Sequence, residues 1–380
     1  MNYFFILIFF FSLFAVNAQS DVTGAEQTER YLPLLVNKSV GVVCNQSAII
    51  GNTHLVDSLL KLGVKVEKIF APEHGFRGEA QAGEWVGSGK DDKTGLQVIS
   101  LYGKSKKPSP ADLGGIDILI FDIQDVGVRF YTYISTLHYV MEAAAENNIP
   151  LIVLDRPNPL GFYVDGPVLD TNYRSFVGMH PVPIVHGMTV GEYAQMINGE
   201  HWLKNGLTCD VTVITCKNYN HSTRYSLSIK PSPNLPNMTA IYLYPSLCLF
   251  EGTVMSVGRG TDYPFQVVGH PLLKGKYSFS FTPKAALGNK TLLYNGKTCY
   301  GLDLRQSHDS TFTLKYLLEL YKNYPDKKNF YNTFFIKLIG NKRVFDAIKQ
   351  GKSEKEIRSL WQSDLVAFQS TRKKYLLYKE

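Results

Sequence analysis

The chain has 380 residues, and once an apolar leader is set aside the remaining stretch still exceeds the roughly 250–300 residues at which a single core stops growing, so two domains are expected. Its five cysteines, at 44, 209, 216, 248 and 299, are an odd number, which excludes complete disulfide pairing; they read as small buried apolar residues. The net charge of +7 is mild and would suit an anionic polymer, and nucleic acid is not expected as a partner.

Residues 1–18 are almost wholly apolar and end on Val16-Asn17-Ala18, a small-residue cleavage pattern. They read as a signal peptide, because the apolar run is shorter than the roughly 20 residues of a transmembrane helix and polar sequence follows at once. No cysteine follows the cleavage pattern to carry a lipid, so the mature protein is expected to be exported, periplasmic or secreted, without a membrane span. Residues 40–44 then form a buried strand. Thr53 caps a helix over 55–62, ended by Gly63, and a second strand covers 66–70. The run 116–121, apolar except at Asp117, fits a strand covered on both faces, followed by a helix over 137–146 and a strand over 149–154. This rhythm predicts an α/β fold with a Rossmann-like, mostly parallel sheet. The turn after the first strand, Asn45-Gln46-Ser47, lacks the glycine fingerprint that lets a pyrophosphate approach a helix terminus, so no nicotinamide or flavin cofactor is expected.

A further helix carries Glu192. The segment Pro231-Ser232-Pro233-Asn234-Leu235-Pro236 cannot continue a helix and reads as an extended connection, which divides an N-terminal catalytic domain (19–236) from a smaller α+β domain (237–380). In the latter, helices are predicted over 313–324 and 353–378. Ser353 and Glu356 form a capping box for the second, and Ile357, Leu360, Trp361, Leu365 and Phe368 give it an apolar stripe.

Three polar clusters follow predicted strands and so share one rim of the sheet, the edge where open α/β sheets bind ligands. The first, Glu73-His74-Gly75-Phe76-Arg77, puts an acid, an imidazole and a guanidinium within five positions. The second runs from Asp122 through Gln124, Asp125 and Arg129 to Tyr131. The third is Asp155-Arg156-Pro157-Asn158. Asp122 and Asp155 are equally readable as structural acids paired with Arg129 or Arg156. His186 is as readily a helix-entry contact as a ligand. Two loops of the second half, around Glu251 and around Gly258-Arg259-Gly260, add an acid and an arginine free to present its planar fork to a carboxylate.

Taken together and in order, Ala-Pro-Glu-His-Gly-Phe-Arg-Gly (71–78), Asp-Ile-Gln-Asp-Val-Gly-Val-Arg-Phe-Tyr-Thr-Tyr (122–133), Leu-Asp-Arg-Pro-Asn-Pro (154–159), Pro-Ser-Pro-Asn-Leu-Pro (231–236) and the Phe-Glu-Gly-Thr segment (250–253) leading to Gly-Arg-Gly-Thr (258–261) make the chain resemble the exo-β-N-acetylmuramidases of the NamZ type. The resemblance implies a Rossmann-like domain, a smaller C-terminal domain and a cleft between them. It also implies release of N-acetylmuramic acid from the non-reducing end of peptidoglycan fragments and muropeptides, with Glu73 as the catalytic glutamate.

A glycosidase usually needs an acid to protonate the leaving oxygen and a second group that attacks the anomeric carbon or activates water. Glu73 is the candidate acid, with His74 and Arg77 orienting it. For the partner, Asp122, Asp125, Glu251 and the substrate's own acetamido group all stand. Binding roles fall to Arg77, Gln124, Arg129, Tyr131, Asp155, Arg156, Asn158, His186, Asn234, Glu251 and Arg259, with Arg129 or Arg259 pairing the lactyl carboxylate of muramic acid. Two other readings compete: a two-lobed sugar-binding protein without turnover, and a divalent-metal hydrolase using Asp122, Asp125 and Asp155. No His-x-His or Cys-x-x-Cys pair speaks for zinc, and neither a metal nor a cofactor is assigned.

Overall fold

A computed structural model describes residues 21–77, 87–103, 105–285 and 292–380. The signal peptide expected over 1–18 lies outside the described residues, as do Gly78 and Lys104. Among the described residues the strands in chain order are β1 (Val40–Cys44), β2 (Ile49–Ile50), β3 (Thr53–His54), β4 (Val66–Ala71), β5 (Gly89–Lys90), β6 (Gln97–Ser100), β7 (Ile118–Asp122), β8 (Leu151–Leu154), β9 (Val211–Ile214), β10 (Val267–His270), β11 (Ser280–Phe281) and β12 (Cys299–Asp303).

Seven of them form one sheet in the order β5-β6-β4-β1-β7-β8-β9. All neighbours run parallel except the short β5, which pairs antiparallel with β6 at the edge. The chain therefore starts in the middle, winds outward through β4 and β6, then returns to the other side of β1 for β7, β8 and β9. That is the doubly wound Rossmann order, and its switch point lies between β1 and β7. Alternate side chains feed two layers. Val40, Val42 and Cys44 pack with Leu55, Val56 and Leu59 of the helix Leu55–Lys61 on one face. Val43, Leu119, Phe121 and Val153 meet Leu137, Val140 and Met141 of the helix Tyr133–Glu146 on the other.

The C-terminal part continues that second layer. Its antiparallel sheet, ordered β10-β12-β11, and its helices contribute Leu247, Val268, Phe335, Trp361 and Phe368 to the same unbroken core. Residues 231–236 carry no helix or strand and lead to Asn237, whose Oδ1 accepts from the Ala240 amide at 2.9 Å and so caps the helix Met238–Leu247.

Local departures from the sequence reading have local causes. His54, not Thr53, caps the helix Leu55–Lys61, its ring Nδ1 accepting from the Val56 amide at 3.2 Å. The helix predicted over 353–378 is two helices, Glu354–Ser359 and Gln362–Arg372. The break falls at Trp361, which leaves helical geometry (φ −114°, ψ 4°) and is fully buried. The capping box of Ser353 and Glu356 forms. The cysteines are all buried thiols, and Cys209 and Cys216 flank the extended β9, which keeps them too far apart to bridge. No helix among the described residues is long and apolar enough to cross a membrane.

Candidate active site

Glu73 stands two residues beyond the carboxyl end of β4. His74 and Gly75 both take left-handed backbone, φ +72° and +76°, and the Gly75 amide closes on the Pro72 carbonyl at 3.0 Å, so the chain turns sharply and leaves Glu73 at the rim. Arg77 faces elsewhere. Its guanidinium lies 4.4 Å over the Phe76 ring and grips Asp91 through two nitrogens at 3.1 and 2.9 Å, which anchors the loop from behind. The expected orienting role of Arg77 is thus corrected to that of a loop anchor.

In front of Glu73 opens a cavity of about 320 Å³. The sheet part supplies Glu73, His74, Tyr102 and the run Tyr131-Thr132-Tyr133; the connection supplies Ser232, Asn234 and Leu235; the C-terminal part supplies Tyr244, Glu251, Arg259 and Phe265. The Thr132 hydroxyl donates to Glu73 Oε2 at 3.1 Å. Tyr102, two residues past β6, hydrogen-bonds Glu73 as well; burial, followed by the Glu73 charge, raises its hydroxyl above the ordinary range.

Glu251 sits in a tight 3₁₀ turn, Cys248–Gly252, and Arg259 brings Nε and Nη2 each to 2.7 Å of its Oε1. Arg259 is flanked by Gly258 and Gly260, at φ +78° and +79°. A Cβ on Gly260 would stand 2.8 Å from the Lys284 carbonyl, so glycine is required there. One carboxylate from each half of the chain therefore reaches the same cavity.

Other sequence candidates turn away from it. Asp122 is fully buried in a two-pronged pair with Arg156, 2.5 and 2.9 Å, and a third contact ties Arg156 to the Ile49 carbonyl at 3.1 Å. Asp155 accepts from the Thr189 hydroxyl (2.7 Å), the Gly191 amide (2.8 Å) and the Tyr378 hydroxyl (2.6 Å); burial still raises it to about 6. Arg129 donates to four carbonyls, those of Pro167, Val182, Leu338 and Ile339, which makes it a clamp between the two halves and not a partner for a lactyl group. Gln124 bonds the carbonyls of Asp125 and Pro157, and Asn158 bonds that of Met188. His186 is buried against Tyr193, its rings 5.0 Å apart, and burial drives it down to about 3. Asp125 accepts from the Gly127 amide at 2.6 Å and is raised by burial to about 7; its Oδ2 has no hydrogen-bond partner among the described residues.

Of the named candidates, Glu73, His74, Tyr131, Asn234, Glu251 and Arg259 meet at the cavity; Asp122, Asp125, Asp155, Arg77, Arg129, Arg156, Gln124, Asn158 and His186 do not line it. Asp122 and Asp155 have their oxygens committed to Arg156, Thr189 and Tyr378, and among the described residues no three His, Cys, Asp or Glu side chains converge as ligands would. The metal-hydrolase reading therefore loses its donor set. Sequence reasoning passed over Tyr102, Thr132, Ser232, Tyr244 and Phe265. The signal for Tyr102 was there: it follows the short apolar run Val98-Ile99, just as Glu73 follows Ile69-Phe70-Ala71.

Family models described as the N- and C-terminal parts of exo-β-N-acetylmuramidase NamZ match residues 40–239 and 242–378. The chain belongs to the NamZ family. A peptidoglycan β-N-acetylmuramidase NamZ of Bacillus subtilis (strain 168) is 40% identical over 379 residues, covering 92% of this chain and 89% of that protein. Two solved structures of DUF1343 family proteins from Bacteroides fragilis NCTC 9343 share the fold. One superposes with a TM-score of 0.88 at 48% identity, over 95% of this chain and 100% of that one. The other does so with a TM-score of 0.81 at 30% identity, over 94% and 99%. In this NamZ family member the glutamate of the Glu-His-Gly motif is thus the one that the sheet rim presents to the cavity.

Proposed function

We propose that the protein is an exported exo-β-N-acetylmuramidase, releasing N-acetylmuramic acid from the non-reducing end of peptidoglycan fragments. The observation that carries this reading is the pairing of Glu73 and Glu251 across one small cavity at the carboxyl rim of a doubly wound sheet. At about 320 Å³ it sits at the low end of small-ligand sites, roughly 300–1,000 Å³, so it suits one terminal sugar better than a stretch of glycan. The apolar leader at 1–18 supports export, which a cell-wall substrate requires.

Glu73 protonates the glycosidic oxygen as the bond breaks. Hydroxyl donors from Thr132 and Tyr102 hold its carboxyl in one orientation, so that little reorganisation accompanies proton transfer. Glu251, fixed by Arg259, presents negative charge to the positive charge that develops at the anomeric carbon. Attack on that carbon then falls to Glu251, to a water or to the substrate's acetamido oxygen. Arg259 commits Nε and Nη2 to Glu251, and Nη1 is the group offered to the lactyl carboxylate.

The test uses a chromogenic N-acetylmuramide and a defined glycan with a muramic acid at its non-reducing end. The wild type should release the aglycone, and monomeric N-acetylmuramic acid should accumulate from the first time points. Glu73→Gln should lower kcat by at least about a hundredfold with binding retained, since general acid catalysis contributes roughly 10²–10⁴-fold. Early mid-chain fragments, or a variant keeping more than about a tenth of the rate, would overturn the reading.

A further inference from the structure

Most polar groups of the cavity already have partners. Glu73 is held by Thr132, Glu251 and Arg259 hold each other, and the Tyr133 hydroxyl accepts from Asn45 Nδ2 at 2.8 Å. Two groups differ. The Asn234 side-chain nitrogen is buried without a hydrogen-bond partner among the described residues, and the Tyr131 hydroxyl, close to the Tyr133 and Ser232 hydroxyls, makes no hydrogen bond of good geometry with them; both residues are only 7% exposed and line the cavity. Buried polar atoms are nearly always paired, so two such atoms in one cavity call for an acceptor that the chain does not supply. Both can donate, and Ser232, two positions before Asn234, lies beside Tyr131, which brings the two segments of the wall together.

The surroundings narrow the acceptor further. The charge of Asp125, 5% exposed and with a bare Oδ2, also acts on Tyr131, which favours a neutral carbonyl over a second carboxylate there. Next to the donors lie Leu235 and the Tyr244 ring, whose centroid is 5.8 Å from that of Tyr131, surfaces suited to a methyl group. A neutral carbonyl joined to a methyl is an acetamide.

We propose that Tyr131 and Asn234 form the subsite for the 2-acetamido group of the substrate, donating to its carbonyl oxygen and setting the group's orientation beside the anomeric carbon. This rests on the muramidase reading above, and it makes the enzyme selective for N-acetylated over N-deacetylated sugar. The lactyl group and the acetamido group are then read by different halves of the cavity, Arg259 taking one and the Tyr131–Asn234 wall the other.

The experiment compares kcat/KM for a chromogenic N-acetylmuramide and for the corresponding muramide with a free 2-amine. Wild-type enzyme should favour the N-acetyl substrate by more than about a hundredfold, because a site built around hydrogen bonds rejects analogues that lack the matching group. Tyr131→Phe, which removes one oxygen and adds no volume, and Asn234→Ala should each lower the N-acetyl value about ten- to a hundredfold, with a smaller fall for the free amine, so that the preference collapses. An unchanged preference in both variants overturns the proposal. Calorimetric titration with N-acetylmuramic acid and with muramic acid separates it from the function it rests on. If the wild type turns over neither muramide, the muramidase reading fails, but a binding preference for the N-acetyl sugar that is lost in Tyr131→Phe still supports the subsite. Equal affinity of the wild type for the two sugars overturns the subsite, whatever the turnover.

Discussion

Arg259 carries two tasks that a simpler cation could not combine. Its planar fork fixes Glu251 through two nitrogens at 2.7 Å while a third nitrogen remains on the same rigid plane, and Phe265 supports the guanidinium from 5.1 Å. Lysine keeps the charge but not the fork. Arg259→Lys should therefore lower kcat/KM for a chromogenic muramide by about a hundredfold, the loss expected when one member of a charged hydrogen-bonded pair is stranded. On a chromogenic N-acetylglucosaminide, which has no lactyl carboxylate, the low rate should fall much less. Equal losses on both sugars would limit Arg259 to positioning Glu251.

At the scale of elements, the loops after β4, β7 and β8 show what the sequence made legible and what it did not. The strands themselves could be read, because β1 and β8, and β7 up to Asp122, are short, apolar and buried on both faces. The rim clusters could be located but not sorted. Asp122, Asp155 and Glu73 look alike in sequence, each an acid at the end of a buried strand. Which of them faces the cavity is decided by partners far along the chain: Arg156 is 34 positions from Asp122, and Tyr378 is 223 from Asp155. No local pattern carries that information. The strand β6 is hard to read, being four residues long and closely bounded by glycine and charge, and Tyr102 is hidden with it.

The elements behind the cavity also set a pH response. His180 bridges Tyr193 and His138 at 3.0 Å each and stacks on Trp202, while His186 packs on Tyr193. Burial lowers His138 to about 4, His180 well below its ordinary value and His186 to about 3. As pH falls from about 6.5 towards 4, the unfolded chain takes up protons that the folded protein refuses, so stability is lost across that window. Asp125 and Asp155, raised by burial to about 7 and about 6, act in the opposite sense, losing stability as pH rises from about 4 through those values. Urea unfolding of the wild type and of His138→Gln separates the two effects. The variant should show a shallower loss between pH 6.5 and 4, by on the order of 3 kcal/mol at the acid end. Parallel curves would mean that His138 ionises freely in the folded protein.

Across the whole molecule, the two halves are joined by polar clamps and not only by the shared core. Arg129 reaches the carbonyls of Leu338 and Ile339, and the Tyr378 hydroxyl donates to Asp155 at 2.6 Å while accepting from the Cys216 amide at 2.9 Å. Removing that one oxygen strands a buried amide and weakens the support of a buried carboxylate. Tyr378→Phe should cost about 2–3 kcal/mol, read as a lower urea midpoint, with muramide kcat unchanged because Asp155 does not line the cavity. A midpoint equal to that of the wild type would show the clamp to be dispensable.

The clamp between Asp155 and Tyr378 also orders events during biogenesis. A ribosome delivers β8 more than two hundred residues before the tyrosine that completes its buried acid. Until then Asp155 has only the nearer Thr189 and Gly191 to satisfy it, and contacts so distant in sequence as that with Tyr378 form slowly. The lock on this buried acid is thus completed only when the end of the chain has been made.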